Sequence, residues 1–481
     1  MNIVTLFEEL LNSLIVAEEK FLNNPKDFHS LETSVKTTTE AFSASFLSNV
    51  LSSINDTIYN DSWRESRYTV QRNDKRTVIS SVGDITFDST YYRNIQDGTY
   101  HYLVEEIIGL DAHERFTEEA ETVMLTEALK TSYSEAARSL PSKQKITKTT
   151  VMNKVHGIAK EIPLSEPSEK KSCKYLFIEA DEDHVAEQHG RWTKKEENSS
   201  FISKLAYIYE YKQPTKNCKV RKELVNTFYF GGVYSGPNGV EKFWSNVQKF
   251  IEKNYIQDDL IKVYISGDGA TWIKQGVEYL NKALFCADKF HVMKYINAAS
   301  NQMLDEKDIA KSNIYRLLHK RNKKEFISYT DEMMACAINQ EPVQALQTFI
   351  LNNWSAIMRT FHNKIVDGCS AESHVSHVLS DRLSSRPMAW SKKGADRMSK
   401  LRCYEKNYGR DKIIELVKYS REQRKLSRTG TDDFAEVKVS LREIRSEHYN
   451  QAKSYIDRLQ ATVPGKTVAK MASIREQIRL I

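Results

Sequence analysis

The chain has 481 residues, of which 40% are hydrophobic and 28% are charged. This length allows roughly two to four domains, and the composition favours a soluble globular protein over a disordered, fibrous or disulfide-stabilised chain. The net charge of +6 is only mildly basic, but the lysines and arginines are bunched along the chain, which favours a polyanionic partner.

Three features of the sequence bear on its compartment. The six cysteines are scattered and form no C-x-x-C pair, so neither a zinc module nor a disulfide framework is indicated. Near the N-terminus, Glu8 and Glu9 interrupt an apolar pattern, which predicts an amphipathic helix rather than a signal peptide. No apolar run is long enough to span a membrane. We therefore expect a cytoplasmic protein without a membrane partner.

The N-terminal part divides into a helical region and a small β region. Residues 1–60 have helical patterning. From residue 61 the sequence becomes rich in β-branched and aromatic residues, and Gly83-Asp84 and Asp97-Gly98 are hairpin signals. These features predict a three-stranded meander at the start of a region that extends to residue 165.

Three short helices are predicted to follow the meander within the same region. Their ends are marked by capping and stop residues. These residues are Ser132, Glu135, Pro141 and Thr147. The last helix carries Lys148 and Lys154, and recognition helices use such side chains to contact phosphates. One interpretation of residues 61–165 is a DNA-binding helix-turn-helix; a plain helical bundle fits the same spacing.

Five apolar runs predict the strands of an α/β core over residues 172–291. In chain order they are YLFIEAD, FISKLAYIYEYKQ, ELVNTFYFGGVY, LIKVYISGD and KALFCADKF. Amphipathic segments predict one helix between the third and fourth strands and another between the fourth and fifth. The predicted order is three strands, a helix, a strand, a helix and a strand.

An all-α insertion is predicted over residues 292–366, because the whole stretch has helical patterning with almost no proline or glycine. Its basic residues, among them Arg321, are grouped together. A solvated helix face explains this grouping as well as a DNA contact does. The core is predicted to resume over residues 367–400, and residues 401–481 are predicted to form a charged helical tail.

Two of the predicted strands end in an acidic residue. Asp181 ends the first strand, and Asp268 follows the fourth between Gly267 and Gly269. A carboxylate at the end of a buried strand is costly to desolvate unless it is paired or holds a metal. Two such carboxylates repel each other, and Mg²⁺ or Mn²⁺ would relieve the repulsion. Glu372, in the first turn of a helix predicted to pack on the sheet, is the candidate third ligand.

Each of these assignments has an alternative. Glu179 or Asp183, which share one side of the first strand with the candidate ligand, could bind the metal instead. Asp268 could merely shape a Gly-Asp-Gly turn, and Glu372 could be a helix N-terminal acid favoured by the helix dipole. His291, which follows the fifth strand, could be a hydrogen-bonded core histidine.

Four segments between about residues 174 and 400 carry a family resemblance. They are IEADEDHV, SGDGATWIK, CADKFHVMKYI and CSAESHVSHVLSDRLSSRPMAWS. These segments resemble the bacterial insertion-sequence transposases of the ISLre type. The D-x-x-H pattern from Asp288 to His291, followed by a helical insertion, is similar to the supergroup of Mutator-like and hAT-like transposases. The resemblance implies a ribonuclease H-like mixed sheet that performs DDE chemistry.

The resemblance also implies an activity, a cofactor and partners. The enzyme would nick DNA at the transposon terminal inverted repeats and join the freed 3′-hydroxyl to target DNA, acting as a homodimer or higher oligomer. The three acids would hold two Mg²⁺ or Mn²⁺ ions about 4 Å apart. His291 would position a phosphate, and Arg382 and Arg386 would bind backbone phosphates in a turn shaped by Pro387.

Two other functions are compatible with the sequence. A ribonuclease H-like nuclease, such as a resolvase, would cut DNA without joining it. A domesticated transposase would bind DNA without cutting it, although the presence of all three acids argues against that reading.

Overall fold

A computed structural model describes residues 3–158, 160, 162–164, 167–188, 199–215, 218–366, 368–386, 388–426 and 449–454. The chain divides into two compact units. The first contains the described residues up to Ala128, residues 132–151, and the described residues from Val417 onward. The second contains Leu129–Thr131 and the described residues from Met152 to Leu416. The six predicted domain ranges are finer than this division and stay a prediction.

The first unit combines helices with one small antiparallel sheet. Its helices are α1 (Ile3–Asn23), α2 (Phe28–Asn60), α3 (Ser62–Arg67), α4 (Leu103–Ile107), α5 (Glu118–Ala128) and α6 (Tyr133–Ala136). Its strands are β1 (Tyr68–Ser80), β2 (Gly83–Asn94) and β3 (Tyr100–Tyr102), paired in that order. The predicted meander is therefore present, and Gly83 and Gly98 adopt the positive φ angles that its turns require.

The predicted helix ends after the meander are also observed. The Ser132 hydroxyl accepts the backbone N–H of Glu135 at the start of α6. The Thr147 hydroxyl accepts the backbone N–H of Thr150 at the start of α7 (Lys148–Ile158), and the boundary between the two units falls within this helix. The arrangement of α5, α6 and α7 as a helix-turn-helix stays a prediction.

The second unit is built on a mixed five-stranded sheet. Its strands are β4 (Tyr175–Ala186), β5 (Ser200–Tyr209), β8 (Phe228–Gly232), β9 (Lys262–Gly267) and β10 (Ala283–Ala287). The spatial order is β10-β9-β4-β5-β8. The strand β4 pairs antiparallel with β5 and parallel with β9, and β10 continues the parallel half. The sheet places β4 at its centre, with both neighbours hydrogen-bonded to it.

The second and third predicted strands are wrong in extent, because each is longer than the strand of the sheet that it contains. The runs FISKLAYIYEYKQ and ELVNTFYFGGVY each span two strands, because a separate antiparallel hairpin, β6 (Tyr211–Thr215) and β7 (Cys218–Val225), lies between β5 and β8. The chain leaves β5 at Glu210 and leaves the hairpin at Asn226, which has a φ of 56°. Asparagine tolerates this left-handed conformation better than the flanking residues would, so the strand breaks there.

Helices connect the later strands of the core as predicted. They are α8 (Gly239–Asn254), α9 (Thr271–Lys274) and α10 (Gly276–Tyr279). The single predicted helix after β9 is divided into α9 and α10 at Gln275. A Cβ atom on Gly276 would lie 2.7 Å from the ring of Trp244, so the division brings the chain close to the buried face of α8.

The predicted insertion is helical. It contains α11 (Lys289–Ser300), a 3₁₀ turn (Asn301–Glu306), α12 (Lys307–Lys320), α13 (Lys323–Cys336), α14 (Glu341–Asn352) and α15 (Trp354–His362). The chain then returns to the sheet through α16 (Ala371–Val375), a π-helical turn (Ser376–Ser380) and α17 (Asp381–Leu383). It continues with α18 (Lys392–Tyr408), a 3₁₀ turn (Arg410–Lys412) and α19 (Ile413–Leu426).

The helical prediction for the tail holds over α18 and α19. Residues 427–448 and 455–481 lie outside the described residues, and so does Pro387. Among the helices that the structure describes, none combines the length and the apolar character needed to cross a bilayer.

Candidate active site

The pairing of β4 with β9 brings two predicted acids close together, although Asp181 does not end its strand as predicted, because β4 continues to Ala186. The parallel register runs from Tyr175 opposite Lys262 to Glu179 opposite Ser266. Asp181 and Asp268 each stand two residues beyond the last pair. Asp181 lies within β4 and Asp268 directly follows β9, and the charge of Asp268 contributes to the raised pKa of Asp181. The structure therefore makes Asp181 and Asp268 neighbours.

The environment of Asp181 is unfavourable for a charged carboxylate. Burial raises the pKa of Asp181 to about 6, and the nearby charge of Asp268 contributes to the increase. The backbone N–H of Glu182 donates to the Asp181 carboxylate, and the charge of His291 acts in the same pKa-lowering direction, but these effects are smaller than the burial. A cation bound here would replace the proton and remove the repulsion.

Two glycines allow the chain to turn at Asp268. The Asp268 carboxylate accepts the backbone N–H of Ala270, just before α9 begins. A Cβ atom on Gly267 would lie 2.7 Å from the carbonyl oxygen of Ala180, and Gly269 has a φ of 97°. Only glycine fits this close approach and this conformation without strain. The Gly-Asp-Gly sequence thus shapes a turn and presents Asp268 at the edge of the sheet.

Asp288 and His291 lie at the same edge. The Asp288 carboxylate caps α11 by accepting the backbone N–H of Phe290, and the Asp288 N–H donates to the carbonyl of Gly267. Burial raises the pKa of Asp288, and the charges of Glu179 and Glu372 add to the increase. The imidazole Nε2 of His291 lies 3.9 Å from Asp288 Oδ2. His291 is half-buried and faces carboxylates.

The third predicted acid stands on a helix that is tied to the central strand. Glu372 lies in the first turn of α16 and is exposed. The backbone N–H of Ser370, just before this helix, donates to Glu179 Oε2 on β4 at 2.6 Å. The charge of Glu372 influences Asp288, and that of Asp268 influences Asp181.

Protein donors contact both alternatives to Asp181 on β4: each carboxylate oxygen of Glu179 accepts hydrogen bonds, whereas Asp183 Oδ2 is buried and accepts none from a described residue. Glu179 is 1% exposed and accepts hydrogen bonds from Tyr209 and Ser370, among others. Asp183 is 7% exposed and accepts the hydroxyls of Ser380 at 3.0 Å and Ser384 at 2.7 Å. No side chain of a described residue donates a hydrogen bond to Asp181. Its carboxylate is therefore the most available of the three for a ligand.

The donor set suits a hard divalent cation, but the three acids do not already form a site. Within the described ranges, no three His, Cys, Asp or Glu side chains stand in a metal-binding arrangement. The structure pairs Asp181 with Asp268, and it places Glu372 near Asp288. Convergence of Asp181, Asp268 and Glu372 on shared ions stays a prediction.

The predicted phosphate-binding arginines have different environments. Arg382 is 4% exposed, and its guanidinium lies over the ring of Trp390, 4.8 Å from the centroid. Arg386 is exposed. Since a buried guanidinium offers little surface to a phosphate, the structure leaves Arg386 as the more accessible of the two, and the phosphate-binding role itself stays a prediction.

The other predicted DNA contacts are Lys148, Lys154 and Arg321. Lys148 is exposed at the first position of α7, and Lys154 is half-buried one and a half turns later. Arg321 is exposed in the turn between α12 and α13, where its φ is 55°. The DNA-binding role of these three side chains stays a prediction.

The chain matches the model of a known family. A family model described as an uncharacterised protein family, UPF0236, matches residues 21–420. The chain belongs to this family. The matched range contains every predicted site residue of this UPF0236 protein.

Two UPF0236 proteins of Caldanaerobacter subterraneus subsp. tengcongensis are similar along most of their length. One is 32% identical over 421 residues, which is 87% of this chain and 85% of the relative. The other is 31% identical over 424 residues, which is 86% of this chain and 87% of the relative. The name of the first relative combines eleven locus designations, and the name of the second relative combines four.

A solved structure, the Drosophila P element transposase strand transfer complex, aligns with 65% of this chain and 82% of its own chain. The TM-score is 0.22 and the sequence identity is 11%. A likeness of this size has no bearing on the fold or function of the UPF0236 chain.

Glu179 and Asp288 have structural roles in addition to those that the sequence predicts. Glu179 was considered only as an alternative ligand, whereas it anchors the segment before α16. Asp288 was considered only as part of a motif, whereas it caps α11 and bonds the end of β9. An Asp that directly precedes a predicted helix is a capping signal, so the role of Asp288 could have been found from the sequence.

Proposed function

We propose that this UPF0236 protein is a DNA transposase of a bacterial insertion sequence, of the ISLre type, with a ribonuclease H-like catalytic core. The observation that carries the proposal is that Asp181, within the central strand β4, lies close to Asp268, which directly follows the adjacent parallel strand β9. The succession β4, β5, β8, α8, β9, α9–α10, β10 supports the ribonuclease H-like core, because it has the three strands, helix, strand, helix and strand that the resemblance implies.

Asp181, Asp268 and Glu372 are the residues that would hold two Mg²⁺ or Mn²⁺ ions. Such ions, when bound, activate a water or a 3′-hydroxyl and stabilise the leaving oxygen of a phosphodiester. The raised pKa of Asp181 supports this assignment, because a carboxylate that resists ionisation beside a second carboxylate gains the most from a cation.

Basic groups around the core would position DNA. In the proposal, His291 lies beside the scissile phosphate and Arg386 binds the backbone next to it, with Arg382 fixing the local fold over Trp390. The exposed Lys148, with Lys154, would contact the phosphates of a transposon end through α7. Arg321 would contact DNA through the insertion.

The names of the relatives give independent support. A protein name that joins eleven locus designations of one organism indicates that closely similar genes occur at many sites in that genome. Elements that insert copies of themselves produce this distribution. A nuclease or resolvase of fixed genomic location would not require it.

The proposal is tested with duplexes that carry the DNA flanking the gene, where terminal inverted repeats are expected. We expect purified protein with Mg²⁺ or Mn²⁺ to nick these ends and to join them to a target plasmid. Asp268→Asn should abolish cleavage and leave end binding intact, because one ligand is lost and the turn is kept. Asp259→Asn, an exposed acid before β9, is the matched control and should cleave normally.

The outcomes separate the alternatives. Cleavage by the Asp268→Asn protein at the wild-type rate would contradict the assigned site. Cut ends without joined products would indicate a nuclease, and specific binding without any cleavage would indicate a DNA-binding protein.

A further inference from the structure

The segment between α15 and α16 must return the chain from the insertion to the sheet. Near its start, the Asn363 side chain donates to the Tyr264 hydroxyl of β9 at 3.1 Å. Near its end, Gly368 and Ser370 contact β4 and β6. Glu372 follows two residues after Ser370, so whatever fixes Ser370 also fixes the start of the helix that carries Glu372.

Glu179 is the group on β4 that receives this segment. Its Oε2 accepts the Ser370 N–H at 2.6 Å and the Ser370 hydroxyl at 3.0 Å, and it also accepts the Tyr207 hydroxyl. Its Oε1 accepts the Tyr209 hydroxyl at 2.7 Å. The carboxylate is 1% exposed, so these protein donors replace water around it.

Lys212 supplies the balancing charge and a second attachment. Its ammonium lies 2.8 Å from Glu179 Oε1 and donates to the Gly368 carbonyl at 3.2 Å. Lys212 belongs to β6, so the hairpin that interrupts the predicted strands contributes directly to this cluster. The ion pair therefore contacts the returning segment at two points. Glu179 accepts hydrogen bonds from Ser370, and Lys212 donates to the carbonyl of Gly368.

We propose that Glu179 and Lys212 are positioning residues that hold the returning segment on β4 and so set the place of Glu372. Within the segment 368–370, the Ser370 carbonyl accepts the His374 N–H at the start of α16, but no strand pairing holds the segment on β4. The catalytic consequence rests on the proposed function; the anchoring itself does not.

The choice of variants follows from the burial of the pair. Replacing one partner alone leaves a buried charge without its counter-ion, which is strongly destabilising. The double variant Glu179→Gln with Lys212→Met removes both charges and preserves side-chain size. Lys212→Arg keeps the charge and is the conservative variant.

A matched control is available in the same unit. Glu210 accepts the Tyr255 hydroxyl at 3.2 Å and lies 3.6 Å from the Lys171 ammonium. It is thus another carboxylate with a tyrosine and a lysine as partners, but it forms no hydrogen bond or ion pair with residues 368–370. Glu210→Gln reports the effect of losing such a cluster elsewhere.

Hydrogen exchange of the full-length protein tests the anchoring without reference to activity. In the double variant, peptides covering residues 368–375 should exchange about tenfold faster or more, while peptides of β4 and β9 keep their protection. Glu210→Gln should leave residues 368–375 unchanged. Wild-type protection of 368–375 in the double variant would overturn the proposal, whatever the protein catalyses.

End cleavage tests the catalytic consequence. The double variant should need about ten- to a hundredfold more Mg²⁺ for half-maximal cleavage and should bind end DNA as the wild type does. Lys212→Arg, which keeps the charge, should retain the wild-type Mg²⁺ dependence. Wild-type Mg²⁺ dependence in a double variant that has lost protection at 368–375 would refute the role in placing Glu372. A wild-type protein that cleaves nothing would refute the proposed function and leave the exchange result to decide the anchoring.

Discussion

Three carboxylates alternate along one side of β4, and each has a different environment. Glu179 is held by an ammonium, two phenols and Ser370, and although burial acts to raise its pKa, Lys212 and these hydrogen bonds hold the pKa below its usual value. Asp183 is held by two serine hydroxyls. Asp181 has a carboxylate neighbour instead of a side-chain donor. Identical spacing in the sequence therefore leads to two structural acids and one reactive candidate.

The raised pKa of Asp181 predicts how the free energy of unfolding depends on pH. Its pKa is about 6 in the folded protein and about 3.9 in an unfolded chain. Between these values the folded state binds more protons, so the contribution of Asp181 to stability decreases as the pH rises through this window. Asp181→Asn should therefore be more stable than the wild type at pH 7.5 without metal, by about 1–3 kcal/mol, and the difference should vanish near pH 4.

Denaturant unfolding at a series of pH values measures this difference. Mg²⁺ should stabilise the wild type at pH 7.5 and have little effect on Asp181→Asn, because the variant lacks the charge that binds the ion. The exposed Asp259→Asn variant should behave as the wild type at every pH. An Asp181→Asn protein that is less stable than the wild type at pH 7.5 would show that the charged carboxylate is well accommodated.

At the scale of elements, the contact between β9 and β4 sets the distance between Asp181 and Asp268. Gly267→Ala places a Cβ atom 2.7 Å from the Ala180 carbonyl oxygen and 2.9 Å from Ile273 Cδ1. Since a backbone oxygen in a central strand cannot move aside, β9 must shift. We expect a loss of about 1–3 kcal/mol in the free energy of unfolding and a loss of end cleavage.

Gly157→Ala is the control for this substitution. Gly157 lies within α7, and nothing stands within 4 Å of a Cβ atom added there. Alanine should stabilise the helix by about 0.5–1 kcal/mol. Unchanged stability and cleavage in Gly267→Ala would mean that β9 tolerates displacement and that the proximity of the two acids is not needed.

The C-terminal half of α12, the start of α13 and the turn between them carry a group of exposed basic residues. They are Arg316, Lys320, Arg321, Lys323 and Lys324. Changing all five to Gln should leave the fold and the binding of a single end largely intact, and should weaken cleavage or the assembly of paired ends, because phosphate contacts release counterions. Gel-shift and cleavage assays at several salt concentrations measure this. Changing the exposed Lys20, Lys26 and Lys36 to Gln serves as control, and equal effects of the two sets would indicate a nonspecific charge effect.

At the scale of the whole molecule, strand transfer of two ends requires more than one active site. The proposed transposase function implies that two ends are joined in one complex, so two or more chains are expected in each complex with end DNA. Light scattering of the Asp268→Asn protein on end DNA measures the stoichiometry without turnover. A strict one-to-one complex in a wild-type reaction that completes joining would contradict the expectation.

Much of the architecture is determined by local sequence. Apolar runs predict the positions of the five core strands, Gly83 and Gly98 mark turns of the meander, and Ser132 and Thr147 cap helices where expected. The scarcity of proline and glycine predicts the helical insertion. Each of these signals acts within a few residues, between side chains and the nearest backbone groups, so the sequence contains them directly.

Only the tertiary structure decides how the acids differ and what anchors them. Glu179 receives Tyr207 from 28 positions away and Ser370 from 191 positions away, and Asp183 receives Ser384 from 201 positions away. The hairpin β6–β7 and the burial of Arg382 over Trp390 likewise depend on packing between distant segments. Burial and the proximity of charges determine which carboxylate is held by the protein and which is left for a ligand, and both arise only when the sheet, the hairpin and the returning segment are assembled.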